Sequence, residues 1–258
     1  MPRPTRQLLR HRLVLASITA AALGAGLLTA ACCCGGSGEV DSTRRSSNDR
    51  GASQTVVIDR ADLGVVCAAG GGSGLLTIPI NGAESSSEYA DSDELVRAML
   101  QDMAENAGLR RASIPPVIAD PSVGTSVAVA ATMIAPHGGY PAGQRLILYS
   151  PDEVRTHTRR SGTTGTIGFI FAHELGHHVN GHNVARPGTS SHEKELEADY
   201  YAGFLMGLSG ERKRDTLAWI KANVGPGDSA SHPGRNRRLA SAQEGWEKGC
   251  HQINACNE

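Results

Sequence analysis

Aromatic residues are scarce in this sequence, and no charge of either sign dominates it. Phe, Trp and Tyr make up 4% of the 258 residues, so a folded core must rely on Val, Ile, Leu and Ala. The formal net charge at pH 7 is -1, so no global field attracts the chain to nucleic acid or to an anionic membrane. Apolar residues nevertheless account for 40% and charged residues for 20%, which is the composition of a globular protein.

Signatures of several common sites and folds are missing as well. None of the six cysteines has the spacing of a cysteine-based zinc site, which needs close pairs. The glycine-rich run from Gly70 to Gly74 has neither the Lys-Ser/Thr ending nor the following helix of a phosphate-binding loop, so an ordinary loop is predicted there. The sequence also shows no internal repeat. Cysteine-based zinc domains, phosphate-loop nucleotide enzymes and repeat folds are therefore excluded.

The only long apolar run lies at the N-terminus. It extends from Leu13 to Ala31 and follows a basic stretch from Arg3 to Arg12, an order that is typical of an export signal. The small residues before Cys32 predict a lipoprotein cleavage site, with Cys32 as the lipidated first residue. Two other interpretations stay open: ordinary signal cleavage near this point, and an uncleaved anchor, since about 19 apolar residues can just span a bilayer. All three place the rest of the chain in the periplasm or cell envelope.

Composition divides the chain into four parts. Residues 1–31 form the predicted signal peptide, and residues 32–54, rich in Ser, Gly, Arg and Asp, predict a flexible linker. Residues 55–249 carry the patterns of a folded domain, and residues 250–258 form a short tail. Export permits disulfides, and the sequence leaves every pairing open among Cys67, Cys250 and Cys256.

Periodicity in the domain predicts an α+β fold that is mostly helical, with a small sheet and no βαβ alternation. Asp91 is expected to cap the first helix, and Gly108 to end it. His137 and His157 are assigned to exposed polar loops. The predicted helices span residues 92–107, 164–180, 192–208, 212–223 and 235–246, and the predicted strands span 127–135 and 145–149, with a short β-branched run at 55–58.

The second predicted helix carries His173-Glu174-Leu175-Gly176-His177. Histidines four residues apart stack on one helical face, close enough to share a metal ion, and neutral imidazoles are good zinc ligands. Glu174 lies about 100° around the helix from His173, where it would flank the metal as a base. The alternative is two surface histidines on an amphipathic helix. His178 and His182 are expected to be structural or surface histidines and not ligands.

A third ligand is available from the next helix. Catalytic zinc has three protein ligands and one open position, and the segment from Ser191 to Tyr200 contains four acidic residues. Glu195 and Asp199 are four apart and share a face, so one can bind the metal while the other accepts a hydrogen bond from a ligating histidine. Glu193 and Glu197 are interpreted as part of a solvated face.

These blocks, together with His232-Pro233 and Arg238, resemble the peptidase family of HtpX and the CAAX prenyl endoprotease. The resemblance covers residues 91–246 and implies a zincin-like, gluzincin-type domain that holds one Zn²⁺ ion. It implies that the catalytic residues are Glu174, as the base, and His232, which steadies the developing oxyanion. By the same resemblance the ligands are His173, His177 and Glu195, while Asp199 and Arg238 support the site.

The expected function is hydrolysis of peptide bonds in exported or envelope proteins. The family's best-known members have several membrane-spanning helices, but this chain has one apolar segment, so it resembles a soluble exported relative that reaches the membrane only through its N-terminal lipid or signal anchor. An extended polypeptide substrate is expected to add to an exposed sheet edge, the strand at 127–135.

Two alternatives to this function stay open. One is a non-catalytic zinc-containing chaperone or assembly factor that binds peptides, against which Glu174 argues. The other is a latent protease closed by its own loop or by a partner.

Overall fold

The computed structural model describes residues 55–59, 63–66, 75–79, 90–120, 123, 127–134, 136, 140–161, 165–182 and 189–257. The predicted signal peptide and linker, with the predicted lipidation residue Cys32, lie outside these residues, and so do Cys67, the run from Gly70 to Gly74 and His137. Among the residues that are described, no helix combines the length and the apolar character needed to cross a membrane.

The fold is α+β and mostly helical, as predicted. The described part of the chain forms α1 (Ala90–Asn106), α2 (Pro151–Ser161), α3 (Gly165–Val179), α4 (Ser191–Leu208), α5 (Lys213–Thr216), α6 (Ala218–Asn223) and α7 (Arg235–Gln252), with a single 3-10 turn at Arg111–Ser113. Its strands are β1 (Thr55–Asp59), β2 (Leu63–Val66), β3 (Leu75–Pro79), β4 (Val117–Ala119), β5 (Ala128–Met133) and β6 (Arg145–Tyr149).

The helix predictions hold in outline and fail at particular ends. Helix α1 begins at Ala90, so Asp91 lies within its first turn and not at the cap. The predicted helix at 212–223 is divided at Leu217, which separates α5 from α6. Helix α7 runs on to Gln252, and Cys250 near its end is fully buried.

Helix α2 was not predicted, and it places His157 on a helix instead of in an exposed loop. Its sequence has almost no apolar residues, so no hydrophobic stripe marks it. Its signals are at the ends: Pro151 stands at the first position, and the Ser150 hydroxyl accepts a hydrogen bond from Glu153 N. Acidic residues in the first turn and arginines in the last turn complement the helix dipole. The His157 side chain is 13% exposed.

The sheet has an order that the sequence did not indicate. Four strands are arranged β2-β5-β6-β4, and β1 and β3 form a separate antiparallel pair. Strand β5 pairs antiparallel with both β2 and β6, while β4 pairs parallel with β6. The prediction that β5 is an exposed edge is therefore wrong, because β2 covers the side of β5 that faces away from β6.

Helix α3 lies at the centre of the domain. Every residue from Gly165 to His178 is buried, and Phe169, Phe171 and Leu175 belong to the main hydrophobic core. A side chain at position 176 would crowd the Ala198 backbone, only 3.1 Å from a built Cβ. Gly176 thus allows the close approach of a neighbouring element, and that element is α4.

Helix α4 packs even more closely against α7. A Cβ at Gly203 would collide with the Ala242 carbonyl, and one at Gly245 would collide with the Tyr200 carbonyl. These reciprocal glycines bring the two backbones together, so residues near the start of α7 lie beside the face of α4 that carries acidic residues. At the far end of α7, a disulfide joins Cys250 to Cys256, which is one of the pairings left open by the sequence.

Candidate metal centre

The two motif histidines face each other on α3. His173 and His177 are buried, and their Nε2 atoms lie 3.1 Å apart. The rings meet edge to face, with centroids separated by 4.7 Å. The spacing of four residues places both rings on one helical face, and the burial of every residue from Gly165 to His178 keeps that face away from solvent.

Helix α4 supplies a carboxylate to the same point. A capping box formed by Ser190 and Glu193 defines the start of α4, and Glu195 then faces the imidazoles while Glu193 is exposed. The Glu195 oxygens lie 3.5 Å from His173 Nε2 and 3.6 Å from His177 Nε2. These three side chains form a buried group that could hold a metal ion.

The far nitrogen of His173 is held by a buried ion pair. Asp199 Oδ1 lies 3.0 Å from His173 Nδ1, and because a carboxylate only accepts, Nδ1 carries a proton and Nε2 is the atom that faces the cluster. Arg238 donates to both Asp199 oxygens, at 2.6 and 2.8 Å. The α4–α7 packing thus places Asp199 and Arg238 beside the cluster, where the sequence resemblance puts them.

His177 has an equivalent support that the sequence analysis missed. Its Nδ1 lies 2.8 Å from His182 Nδ1, and His182 Nε2 lies 2.8 Å from Glu197 Oε2. Of the two roles expected for His182, structural or surface, the structural one applies, because the residue is buried. Glu197, assigned to the solvated face, is 49% exposed but also anchors this chain of hydrogen bonds.

The local sequence did contain a signal for the His177–His182 contact. After α3 the chain turns at Gly181, which has φ of 68°. Gly181 N donates to His178 O, and His182 N donates to His177 O. This pair of bonds is a Schellman motif, which returns the second residue beyond the helix end to the last turn. Glycine followed by histidine after the motif therefore indicates that His182 lies over His177.

Glu174 lies beside the cluster and binds the sheet. Its Oε2 accepts a hydrogen bond of 2.6 Å from Ala130 N on β5. Burial is the main cause of the rise in the pKa of Glu174 to about 8; the charge of Glu195 also raises it, and those of His173 and Arg238 lower it. Glu174 is therefore within electrostatic reach of the cluster without belonging to the three-residue group.

The remaining candidate residues fall at different distances from the cluster. His232 Nε2 is 3.7 Å from Glu195 Oε2, and its side chain is 25% exposed, which puts it on the open side of the cluster. His178 is directed to the sheet, where its Nε2 lies 2.8 Å from Leu146 O. His192 contacts Ser229 O and is no part of the group.

The charges in the cluster favour a cation at its centre. Burial opposes protonation of His173, but hydrogen bonds to Asp199 and Glu195 outweigh it and raise the pKa of His173 to about 10. Burial also opposes ionisation of Glu195, yet the hydrogen bond and charge of His173 hold the pKa of Glu195 well below its usual range. Burial, with the charge of His173, lowers the pKa of His177 to about 2, so His177 is a neutral, ligand-competent imidazole.

The spacing of these donor atoms fits zinc. Two nitrogens that each bind zinc at about 2.0–2.1 Å in a tetrahedral arrangement lie about 3.3 Å apart, and a nitrogen and an oxygen are separated by a similar distance. The observed separations are 3.1, 3.5 and 3.6 Å. Two imidazoles and one carboxylate are also a donor set that zinc accepts, with a fourth position left for solvent.

The sequence has no significant match among protein-family models, curated proteins or solved structures.

Proposed function

We propose that this chain is an exported, zinc-dependent endopeptidase with a zincin-like domain. Its zinc ligands are His173, His177 and Glu195, and its general base is Glu174. The motif resemblance to the peptidase family of HtpX and the CAAX prenyl endoprotease supports this proposal, and so does the spacing of the donor atoms. The basic and apolar N-terminal segment, with Cys32 as the lipidation site, supports a location in the periplasm or cell envelope.

One observation carries the proposal beyond metal binding. Glu174 is buried beside the cluster, its pKa is raised to about 8, and it is not needed to complete the ligand set. A purely structural zinc site would gain nothing from a second carboxylate whose pKa lies near neutral pH. A general base is most effective when its pKa lies near the working pH, so the position and the pKa of Glu174 both suit proton transfer.

The side chains have separate tasks in this reaction. A bound zinc ion would supply the Lewis acid that makes water a nucleophile near neutral pH. Glu174 takes the proton from the attacking water and passes it to the leaving amine. His232, on the open side of the cluster, donates a hydrogen bond to the oxyanion that develops on the substrate carbonyl. Asp199 and Arg238 keep the His173 ring oriented.

The decisive experiment compares Glu174→Gln with the wild-type chain. Metal analysis of both purified proteins should give one zinc per chain, because Glu174 is not a ligand. Cleavage of unfolded casein should fall by about 10²–10⁴-fold in the variant, the usual contribution of a general base. The control is Glu244→Gln, a matched change at an exposed position on α7, which should cleave casein like the wild type.

Chelation provides the second arm of the same experiment. Removing the metal should abolish cleavage, and adding zinc back should restore it. Full activity in Glu174→Gln would remove Glu174 from the mechanism. A wild-type chain that holds zinc and binds casein but never cuts it would instead be a peptide-binding assembly factor, and the endopeptidase proposal would fail.

A further inference from the structure

The hydrogen-bonding direction of Ala130 identifies which side of β5 faces the proposed base. Ala130 is opposite Ile147 on β6, and Ile147 N donates to Pro116 O on the β4 side. Ala130 and Ile147 therefore form a pair without mutual hydrogen bonds, and the Ala130 N–H points away from β6, toward β2. That N–H donates to Glu174, so the β2 side of β5 is the side that reaches the base.

Strand β2 already occupies that side. It spans only four residues, and its register places Val66 opposite Ala130 and Leu63 opposite Met133. Leu63 is buried in a cluster that includes Met133, Leu146 and Leu148, so this residue anchors the strand. The last pair of the ladder, Val66 with Ala130, lies where β5 contacts Glu174.

We propose that the β2 side of β5 is the binding surface for an extended, unfolded polypeptide, and that β2 is the chain's own displaceable occupant of this surface. The proposal rests on the endopeptidase function above. Strand addition uses the main-chain groups of the receiving strand, and the groups of β5 that face β2 cannot pair with two strands at once. A polypeptide in the same register passes Glu174 and places an apolar side chain where Leu63 now packs.

The short length of β2 and its covalent attachment determine how strongly it competes. Four residues make few ladder bonds, but an attached segment competes at a high effective concentration, which is in the millimolar range for short flexible connections. A substrate binds only to the fraction of molecules from which β2 has left. The apparent affinity is therefore the intrinsic affinity of the β5 surface multiplied by that fraction. Weakening β2 should therefore lower KM and leave kcat nearly unchanged.

Two single proline variants test whether weakening β2 lowers the KM, and neither alters a residue of the metal site. Because Ala130 and Thr132 point toward β2, their partners Val66 and Gly64 direct their N–H groups at β5, whereas the Val65 N–H points outward. Gly64→Pro removes a donor that faces β5, and Val65→Pro removes one that does not. In the zinc-loaded full chain, Gly64→Pro should lower the KM for fluorescein-labelled casein by at least about threefold. Val65→Pro should match the wild type.

A reversible disulfide lock between β2 and β5 tests the opposite case, in which β2 cannot leave the surface. Val65 and Ala131 form a pair without mutual hydrogen bonds, in which Cα atoms lie about 4.5 Å apart, within the range that a disulfide spans. In a Cys67→Ser background, Val65→Cys/Ala131→Cys should lose cleavage on oxidation, keep its zinc, and recover on reduction with a phosphine. The Cys67→Ser chain alone, treated in the same way, controls for reduction of the Cys250–Cys256 disulfide.

The outcomes separate the two proposals. If both proline variants and the oxidised lock cleave casein like the wild type, β2 is no competitor and this inference is overturned, while the endopeptidase stands. If no variant cleaves casein although zinc is bound, the endopeptidase fails, and casein binding by fluorescence anisotropy decides about the surface. Tighter binding by Gly64→Pro than by Val65→Pro supports the β5 surface; equal binding overturns it. Should Gly64→Pro not fold, the lock decides alone.

Discussion

The two histidines of the candidate metal centre are supported by two unequal hydrogen-bonded arms. The first arm runs from His173 through Asp199 to Arg238, and its members are all buried. The second runs from His177 through His182 and ends at Glu197, whose side chain is 49% exposed. Both arms occupy a histidine Nδ1 and so turn the Nε2 toward the cluster.

The difference shows that a buried carboxylate and an exposed carboxylate need different partners to hold a histidine ring in the same orientation. An ionised carboxylate inside the protein needs a matching charge, and Arg238 provides it with two hydrogen bonds to Asp199. In the second arm a histidine is placed between the ligand and the carboxylate, so the charge of Glu197 stays at the surface where water screens it. We therefore expect the first arm to control folding and the second to control metal affinity.

The largest effect is expected when the buried arm is broken. Asp199→Ala leaves Arg238 buried without its main partner, and loss of one member of a buried pair costs about 3–5 kcal/mol. Urea unfolding in the presence of a chelator measures this loss of free energy. The double variant Asp199→Leu/Arg238→Met should be more stable than Asp199→Ala, because it removes both charges; a double variant no better than the single one would contradict the ion-pair explanation.

Breaking the second arm should affect the metal more than the fold. His182→Ala removes the acceptor for the His177 Nδ1 proton, and loss of such a support typically lowers metal affinity about 10–100-fold. Competition with a zinc-binding dye measures the affinity directly. His182→Asn can still accept that proton through its side-chain oxygen and should recover part of the affinity. Equal losses in both variants would assign His182 to packing only.

Glu174 offers a contrast with both arms, because burial is the main influence on its pKa. Its pKa is raised from 4.5 to about 8. Between these two pH values the unfolded chain has released the proton and the folded chain keeps it, so the stability of the folded chain falls as pH rises through this window. Glu174→Gln abolishes the effect, so in the chelator-treated chain the variant should gain more stability over the wild type at pH 8 than at pH 5. Thermal unfolding at pH 5 and pH 8 checks this, and a stability difference that does not grow with pH would refute it.

The smallest effect is expected at the exposed end of the second arm. Glu197→Gln keeps an oxygen that accepts from His182 Nε2 and removes only a screened charge, so zinc affinity should change by less than about threefold. Glu197→Ala, which removes the acceptor, should cost more. If Glu197→Gln weakened zinc binding as much as His182→Ala, the two arms would depend on charge in the same way and the contrast between them would disappear.

Predictions from local sequence patterns were the successful ones. His173 and His177 share a face because helical geometry alone relates residues four apart. The turn at Gly181 follows equally local rules, so His182 over His177 was within reach of the sequence even though it was missed. Helix α2 was missed as well, although the residues at its two ends follow local rules of the same kind.

Which acidic residue of α4 faces the two imidazoles depends on the neighbouring helix α3. Glu193, Glu195 and Glu197 all lie on one short segment, and only the packing of α4 against α3 decides which carboxylate faces the imidazoles. The sequence predicted Glu195 through a family resemblance, and the geometry agrees with that choice. It gave no indication that Glu197 would hold His182, since that contact joins two segments through a turn and a helix packing angle.

The sequence by itself determined the donor atoms of this protein: two imidazoles on one helical face, a carboxylate directly after the first, and an acidic pair one turn apart on the next helix. Tertiary structure alone decided that β2 covers β5 and that Arg238 reaches Asp199. The physical reason is that helical spacing comes from hydrogen bonds between near neighbours in the chain. Strand order and helix contacts come from pairings between distant segments, for which no local pattern exists.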